Sequence, residues 1–356
     1  MDKFKITHFE EIHKKSLIDF NNRISSANLY FSDPENWQFA KSNKFIKQDF
    51  YVLTENSEII RAITAIKNQN YYLKGEVINF QDIQLPISES ITDFNYLSQT
   101  IYFMKYISSL SSNMHALGMG GLKTSLPKIL IKNKFKSFLI PFFLYPVSIT
   151  RLIQLIIFNK FQFRIHERYL FLFEVFDEIR RFFLFKINRC SYVNIELFSK
   201  FNLTDSFLWN NLKSNFDLIA VKDDENLNEL YCNSPHDLLK YRVSVEGRYV
   251  GYIILKITKH TNNKYFLNSK TLTIVDMLCE NKNYFVFIKM IKKIALMNNC
   301  DLVLVNSTYE KFNSTLSKLS FITLPSNFGF VYKTEKTFNI FNSWITRADG
   351  DGPINL

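Results

Sequence analysis

Hydrophobic and polar positions alternate, or form short apolar runs, in six segments of residues 1–150, which predicts β-strands there. These segments are Lys3–Thr7, Phe50–Thr54, Ile59–Lys67, Glu76–Leu85, His115–Met119 and Phe138–Val147. Apolar residues recur at three- and four-residue spacing in three other segments, which predicts helices at Phe9–Asn22, Tyr96–Leu110 and Ser125–Asn133. The resulting order, β–α–β–β–β–α–β–α–β, predicts a mixed sheet with helices on both faces.

The second half of the chain repeats this order of elements. Strands are predicted at Phe216–Val221, Tyr241–Val245, Tyr249–Thr258, Lys270–Leu278, Asp301–Asn306 and Phe328–Tyr332, and helices at Asp224–Tyr231, Tyr284–Met297 and Glu310–Leu319. The length of 356 residues suits two domains of ordinary size. The sequence therefore predicts an α/β (α+β) protein with domains at residues 1–150 and 196–356, joined by residues 151–195. Each domain is expected to contain a mixed, mostly antiparallel sheet.

The most apolar stretch of the chain runs from Ser137 to Asn159, with Arg151 as its only charged residue. The stretch is long enough to span a membrane, but Pro141 and Pro146 break a helix and a charge is costly in hydrocarbon. The pattern therefore favours a core strand followed by a buried or interfacial helix. The first residues, MDKFKITHFEEIHKK, contain no apolar segment like that of a signal peptide. We therefore predict a cytoplasmic protein that can contact the inner face of a membrane.

Positive charge is concentrated around this apolar stretch. The formal net charge of the chain is +11, and residues 132–189 hold eleven Lys or Arg residues and four acidic residues. A basic surface attracts polyanions, so nucleic acid, anionic lipid and phosphorylated small molecules are all open as partners, beside a purely solvated face. The sequence contains none of the common nucleic-acid-binding motifs, so tRNA is a weaker expectation than a small-molecule substrate.

The cysteines and histidines do not indicate a metal site. Cys190, Cys232, Cys279 and Cys300 never approach the spacing of a zinc ribbon or a disulfide framework. The six histidines form no HxH or HExxH cluster. We therefore predict reduced cysteines and no bound metal.

Several stretches of the sequence carry a resemblance to a known family. They are ALGMGGLKTSLPKILIKNKFKSFLIPFFLY (116–145), FDLIAVKDDENLNELYCNSPHDLLKYRVSVEGRYVGYIILK (216–256), TIVDMLCE (273–280), CDLVLVNS (300–307), LSKLSFITLP (316–325) and NSWITRADGDG (342–352). Together with the element order, they resemble the GNAT acyltransferase superfamily, and in particular tandem GNAT-like proteins encoded with bacterial surface-polysaccharide genes. The resemblance implies an N-acyltransferase that uses acetyl-CoA or another acyl-CoA. The implied acceptor is an amino sugar or a related precursor of cell-surface polysaccharide, either small or lipid-linked.

The resemblance also implies a place for the chemistry. In this fold the acyl donor lies where the fourth and fifth strands splay apart, a carboxylate removes the amine proton, and a Tyr or Ser protonates the leaving thiolate. The second half supplies Asp276 and Glu280 as bases, Ser307 and Tyr309 as acids, and Leu278, Cys279 and Asn306 against the donor. A purely structural role stays open for each of them, because strand ends and helix starts often carry such residues. The second half is the expected location of the active cleft.

The first half offers fewer candidates. Asp82 lies on the fourth strand, with Tyr102 and His115 near it in the pattern. Gly118, Gly120 and Gly121 open the second crossover helix, where backbone amides could hold a phosphate or simply form a tight turn. Neither half has the Q/R-x-x-G-x-G/A loop that holds the CoA pyrophosphate in many GNAT enzymes.

The absence of that loop leaves two other functions open. Fem-like transferases are more distant relatives with tandem GNAT domains that use aminoacyl-tRNA instead of CoA, and the basic charge agrees with tRNA. Alternatively, one or both halves have kept the fold and lost the reaction, and the chain is a non-catalytic scaffold or ligand sensor in an envelope-polysaccharide assembly. In that case the basic apolar middle, including Arg180 and Arg181, would dock the protein on the membrane.

Overall fold

The computed structural model describes residues 3–40, 45–161, 167–187, 191–234 and 237–350. The strands are β1 (Phe4–His8), β2 (Ile46–Glu55), β3 (Ile59–Leu73), β4 (Glu76–Ser88), β5 (Met114–Gly118), β6 (Lys136–Leu139), β7 (Phe142–Pro146), β8 (Val193–Leu197), β9 (Leu218–Ala220), β10 (Leu238–Val245), β11 (Arg248–Lys259), β12 (Lys270–Cys279), β13 (Leu302–Asn306), β14 (Ile322–Leu324) and β15 (Gly329–Lys333). The helices are α1 (Lys14–Ile24), α2 (Leu97–Ser109), α3 (Ser125–Lys132), α4 (Ile149–Phe161), α5 (Glu167–Ile187), α6 (Leu203–Leu212), α7 (Asp224–Leu227), α8 (Tyr284–Met297) and α9 (Glu310–Lys318).

These strands form two mixed sheets, as predicted. The first sheet has the order β1-β2-β3-β4-β5-β15-β6, and β9 pairs with β3 outside that path. The second has the order β14-β7-β13-β12-β11-β10-β8. In each sheet the fourth and fifth strands of the repeated pattern run parallel, β4 with β5 and β12 with β13, while the other neighbours are antiparallel. The predicted fold class is confirmed.

Three strands lie in the sheet of the other half of the chain, which the sequence pattern did not indicate: β9 at the side of β3, and β7 and β15 within the two sheets. Strand β7, from the first half, lies between β13 and β14 of the second sheet, with Leu144 opposite Leu304. Strand β15, from the second half, lies between β5 and β6 of the first sheet, with Val331 opposite Ala116. Each sheet therefore depends on the other half of the chain for one internal strand. The domain boundaries at residues 150 and 196 stay a prediction, and β7, β9 and β15 cross that division. The segment Phe216–Val221, predicted to begin the second domain, contains β9 and pairs with the first sheet.

The exchange explains why the predicted strand Phe138–Val147 is two strands. Residues Ile140 and Pro141 separate β6, in the first sheet, from β7, in the second. Proline has no amide hydrogen for a sheet ladder, so a continuous strand is disfavoured at that point.

Helix α6 was also absent from the sequence prediction. It begins at a capping box in which the side chains of Asn202 and Asp205 each accept a bond from the other residue's backbone N–H.

The joining segment forms two helices beside the second sheet. Asp177 of α5 accepts hydrogen bonds from the backbone N–H groups of Ile149 and Thr150, both at 2.9 Å, and so caps the start of α4. Arg180 of α5 donates to the carbonyl oxygens of Pro146 and Val147, at 2.9 and 2.6 Å. The strand-then-helix interpretation of Ser137–Asn159 is therefore confirmed. In the part of the chain that the structure describes, no helix combines the length and the apolarity needed to cross a membrane.

Candidate active site

The parallel pair in each sheet stays together for only a few residues and then splays apart. In the first sheet, β4 and β5 pair at Gln81–Met114 and Asp82–His115. Strand β4 then continues to Ser88 along β3, with a bulge in the register opposite Ile63 and Ala65. Strand β5 instead turns toward β15. We call the gap beyond Asp82 the first splay.

The second sheet repeats this arrangement. Strands β12 and β13 pair from Thr271 to Thr273, and β12 then follows β11 with a register shift between Ile254 and Leu255. Strand β13 follows β7 instead. We call the gap beyond Thr273 the second splay. A bulge beside a strand separation is a common way for a sheet to open a cleft.

One segment of the chain, Ser343–Gly350, passes through both splays. At the second splay, the N–H of Trp344 donates to the carbonyl oxygen of Leu218 at 2.8 Å, and the N–H of Thr308 donates to the carbonyl oxygen of Ile345 at 3.2 Å. At the first splay, Gly350 packs so closely on Leu117 of β5 that a side chain at residue 350 would meet the leucine at 2.9 Å. The sequence motif NSWITRADGDG therefore closes both gaps with its described residues.

Trp344 fills the second splay by aromatic packing. Its ring is buried and lies between Tyr284, Tyr309, Phe312 and Phe216, with centroid distances from 5.3 to 6.4 Å. Aromatic rings at these distances gain both burial and edge-to-face contact. The second splay is therefore a packed core.

Asp276 lies in that core with both carboxylate oxygens occupied. Oδ2 accepts from the ammonium of Lys222 and from the hydroxyl of Tyr231 at 2.9 Å. Oδ1 accepts from the Trp344 indole N–H at 3.1 Å and from the Met277 N–H at 2.8 Å. Four donors leave this carboxylate little capacity to accept a proton from a substrate.

The other second-half candidates have equally definite surroundings. Tyr309 is buried, and its hydroxyl donates to Asn281 at 3.2 Å. The Ser307 hydroxyl accepts from the Tyr309 N–H at 3.1 Å. Glu280 is half exposed and forms an ion pair with Lys282 at 2.6 Å. The remaining three, Leu278, Cys279 and Asn306, are buried, and the Asn306 amide oxygen accepts from Arg347 at 2.7 Å. The structure brings these residues near the second splay, with Glu280 at its outer end.

The first splay is lined by buried polar side chains. Lys67, Tyr71, Asp82, Gln84 and His115 are each at most 2% exposed. Lys67 donates to the carbonyl oxygens of Gly350 at 2.8 Å and Asp349 at 3.3 Å. Gln84 donates to the Gly350 carbonyl at 3.0 Å and to Asp82 Oδ2 at 2.9 Å. The segment is thus held here by hydrogen bonds to its backbone.

The two carboxyls of this cluster differ in how many donors they face. Asp349 accepts from the Tyr71 hydroxyl at 3.1 Å through Oδ1 and from the Thr346 N–H at 2.7 Å through Oδ2. Among the residues that the structure describes, none donates a hydrogen bond to Oδ1 of Asp82. His115 Nε2 lies 3.4 Å from it. Asp82 therefore has an oxygen free to accept a proton.

The pKa values of the cluster follow from burial. Burial raises the pKa of Asp82 to about 7, although Lys67 and Gln84 favour its charged form. Burial and the Lys67 ammonium together lower the pKa of His115 to about 4, so the imidazole is neutral at neutral pH. Burial also raises the pKa of Asp349. An aspartate with a pKa near 7 is suited to general acid–base chemistry.

Lys67, Tyr71 and Gln84 were not among the residues singled out from the sequence. The available signal was weak: Lys67 is a charged residue that ends the apolar strand segment predicted at Ile59–Lys67. Tyr102, which was singled out, lies on α2 with 53% of its surface exposed. His115 and Asp82 do lie together, opposite each other on β5 and β4.

The glycine turn follows β5 and precedes α3. Gly118, Gly120 and Gly121 all have positive φ angles, and Thr124 caps the turn by donating to the carbonyl oxygens of Met119 and Gly121. Positive φ explains the glycines as a turn requirement. Their phosphate-binding role stays a prediction.

The place of the missing pyrophosphate loop in the first half is occupied by an ion cluster. Glu89, just after β4, is buried and accepts from Arg61 Nη1 through both oxygens at 2.8 Å. Arg23 lies 3.0 Å from the same carboxylate, and Arg61 also pairs with Glu55 at 2.6 Å. Lys3 also pairs with Glu55, at 2.8 Å, so both arginines are paired with carboxylates within a cluster of three cations and two glutamates. Among the described residues, no group of three or more His, Cys, Asp or Glu side chains is arranged to hold a metal ion.

Comparison with known proteins supports the fold. No protein-family model and no curated protein sequence matches the chain. Among solved structures, Saccharomyces cerevisiae N-myristoyltransferase with bound myristoyl-CoA and inhibitors matches with a TM-score of 0.59 and 12% identity, over 97% of this chain and 85% of that chain. A probable N-acyltransferase from Enterococcus faecalis matches with a TM-score of 0.57 and 10% identity, over 95% and 74%.

A third solved structure agrees with these two. A GCN5-related N-acetyltransferase from Anabaena variabilis matches with a TM-score of 0.54 and 12% identity, over 92% of this chain and 72% of that chain. At such low identities the likeness concerns the fold, and it extends over nearly the whole chain. The protein therefore has the GNAT-type fold, built twice within one polypeptide as two mixed sheets that exchange a strand.

Proposed function

We propose that the protein is an N-acyltransferase that moves an acyl group from an acyl-CoA to an amine, and that the reaction takes place at the first splay. The observation that carries the proposal is Asp82, a buried carboxyl with one free oxygen and a pKa near 7 at the edge of the splay. The GNAT-type fold supports it, because the similar N-myristoyltransferase holds myristoyl-CoA.

The proposed reaction needs one base and returns one proton. The amine nitrogen attacks the carbonyl carbon of the thioester, and the carbon–sulfur bond breaks. Asp82 takes the proton that the amine loses and then gives it to the departing thiolate, so the products are an amide and a free thiol. A carboxyl with a pKa near 7 can act in both directions at neutral pH. Lys67, held beside it at 3.8 Å, supplies positive charge to the site.

Access to Asp82 requires that Gly350 leave the first splay. Its carbonyl is held by Lys67 and Gln84, and glycine places no side chain in the gap. Removing it breaks hydrogen bonds that water or a substrate carbonyl can replace. Opening the second splay would instead expose Trp344 and its aromatic neighbours, which costs far more burial. This difference favours the first splay, while Asp276, Glu280, Ser307 and Tyr309 remain the alternative site.

For the acceptor, we propose the amino group of a sugar in a precursor of cell-surface polysaccharide. The support is the sequence resemblance of residues 216–256 and 342–352 to GNAT-like proteins encoded with bacterial surface-polysaccharide genes. The proposed donor is an acyl-CoA that carries an acetyl group or a longer acyl chain. A lipid-linked acceptor would require that the protein work at the inner face of a membrane.

The direct test combines donor binding with turnover. Calorimetry should show that the full chain binds acetyl-CoA or myristoyl-CoA, and thiol release should depend on an added amino-sugar nucleotide. A matched N-acetylated sugar nucleotide, which has no free amine, is the control acceptor and should give no thiol above the rate of hydrolysis. Absence of both binding and turnover would contradict the proposal.

A Fem-like transfer from aminoacyl-tRNA is the second candidate. The cluster of Arg23, Arg61, Glu55 and Glu89 favours it, because both arginines are already paired with carboxylates at the place where a pyrophosphate would bind. In that case tRNA should copurify with the protein and dissociate steeply as salt rises. A protein that binds neither CoA nor tRNA would instead fit a non-catalytic module in polysaccharide assembly.

A further inference from the structure

We propose that α5 and α8 form a docking surface for an anionic lipid membrane, independent of the reaction at the first splay. The surface, which we call the Phe–Lys face, consists of Ile179, Phe182, Phe183 and Lys186 of α5 with Lys289 and Lys293 of α8. Lipid bilayers bind such surfaces because apolar side chains enter the headgroup region while lysines meet lipid phosphates.

Helix α5 is oriented with its apolar side outward. Phe182 and Phe183 are 59% and 56% exposed, and Ile179 is similarly exposed one turn earlier. Asp177 of the same helix points inward, since it is 5% exposed and caps α4. A helix on the surface of a water-soluble protein normally shows the reverse arrangement. The orientation of α5 therefore holds its phenylalanines at the surface.

The inward polar contacts fix the orientation. Arg180 donates to the carbonyl oxygens at the end of β7, and Arg181 lies 3.8 Å from Asp301. Both arginines, which the sequence suggested as membrane contacts, are thus turned toward the protein. Rotating α5 to bury its phenylalanines would break the Asp177 cap and these arginine contacts.

Helix α8 extends the surface with positive charge. Lys293 of α8 lies 5.9 Å from the ring of Phe185, and both helices line a shared groove that includes Phe182 and Met297. Lys289, one turn before Lys293, lies 4.7 Å from the ring of Phe285, and Lys186 lies 4.5 Å from the ring of Phe182. Glu178 lines the groove, beside Arg181.

The charge pattern identifies the occupant. The three lysines of the Phe–Lys face would repel one another across a two-fold interface, so a second copy of this chain fits poorly. An anionic bilayer fits both features, since it accepts the phenylalanines and attracts the lysines. The surrounding segment, residues 132–189, carries eleven basic and four acidic residues, which adds to the same attraction.

The test is cosedimentation of the full chain with vesicles. Phosphatidylcholine vesicles that contain phosphatidylglycerol should bind the protein at low salt, and pure phosphatidylcholine vesicles should bind it weakly. Phe182→Ser with Phe183→Ser should lower the partition by about 100-fold, because each phenylalanine contributes about tenfold. Lys289→Glu with Lys293→Glu should lower it by about 25-fold or more and weaken its salt dependence.

Matched controls change exposed residues of the same types elsewhere. Phe94→Ser with Phe207→Ser, at positions 76% and 70% exposed, and Lys311→Glu with Lys318→Glu on α9 should leave vesicle binding nearly unchanged. Thermal unfolding checks that all variants fold. The proposal is overturned if the wild type does not bind acidic vesicles, if it binds neutral vesicles equally well, or if the Phe182/Phe183 variant binds like the wild type. It is also overturned if light scattering shows a dimer that this variant dissociates.

Discussion

The two splays each contain a buried aspartate, and the surroundings of the two carboxyls differ. Asp276 in the second splay accepts four hydrogen bonds, from Lys222, Tyr231, Trp344 and Met277. Asp82 in the first splay accepts one, from Gln84, and its other oxygen receives none from the described residues. The number of donors therefore separates a carboxylate that holds the fold together from one that can exchange a proton.

The two splays are also filled by different kinds of group. The 343–350 segment puts the Trp344 side chain into the second splay and the Gly350 backbone into the first. A buried indole is replaced only at the cost of a large cavity. A backbone carbonyl held by hydrogen bonds is replaced by any comparable acceptor. The fold thus contains two similar gaps, of which one is filled as core and the other is filled by exchangeable contacts.

The largest effect is expected for Asp82→Asn. Loss of the base should lower kcat by about two to four orders of magnitude. The free energy of unfolding should fall by less than it does for Asp276→Asn, because the amide has the same shape and can still accept from Gln84. Lys67, 3.8 Å away, loses a counter-charge but keeps its hydrogen bonds to the Asp349 and Gly350 carbonyls. Thiol release at saturating substrate and urea unfolding measure the two quantities. Full activity in this variant would show that the reaction does not take place at the first splay.

Trp344→Ala should strongly destabilise the protein. Removing the indole leaves a cavity among four aromatic rings and removes one of the two donors to Asp276 Oδ1, so we expect a loss of about 4 kcal/mol in unfolding free energy. Phe207→Ala, at an exposed position of α6, is the control and should cost less than about 0.5 kcal/mol. A small effect of Trp344→Ala on urea unfolding would show that the second splay is not closed by packing.

Asp276→Asn should lower stability by about 3 kcal/mol, because it leaves the buried Lys222 ammonium without its counter-charge. The double variant Asp276→Asn with Lys222→Met should recover much of the loss, since it removes both charges. Turnover per folded molecule should stay near that of the wild type. If Asp276→Asn instead abolishes turnover without lowering stability, the second splay is the active one.

The pH dependence of turnover should report Asp82. Its carboxyl accepts a proton only when ionised, and burial raises its pKa to about 7. At lower pH the rate should therefore fall about tenfold per pH unit. The same raised pKa means that the folded state loses stability as pH rises through about 7, and Asp82→Asn should remove that loss. If the pH at which the rate falls changes with the pKa of the acceptor amine, the titrating group belongs to the substrate and not to Asp82.

Tyr309→Phe should have the smallest effect. Its hydroxyl makes a 3.2 Å hydrogen bond to Asn281, so the change should cost about 1 kcal/mol or less in stability. Turnover should not change. A fall in kcat of more than about tenfold, with a normal unfolding curve, would restore Tyr309 as an acid that protonates the thiolate.

The alternation and helical spacing predicted most strands and helices because local burial leaves a local pattern. The strand Lys270–Leu278 and helix Tyr284–Met297 match β12 and α8 within one residue. The break at Pro141 was visible in the sequence, but its consequence was not. Whether β7 continues the first sheet or joins the second depends on contacts with β13, more than 150 residues away.

The sequence by itself determined the repeated mixed-sheet architecture and the family resemblance, because element order and hydrophobic period depend on residues that are close together in the sequence. Asp82, His115 and Asp276 could likewise be named as candidates from their places on predicted strands. Only the tertiary structure decided which carboxyl has a free oxygen, because the donors that occupy Asp276 come from Lys222, Tyr231 and Trp344. These residues are far from Asp276 in the sequence and reach it only in the folded protein.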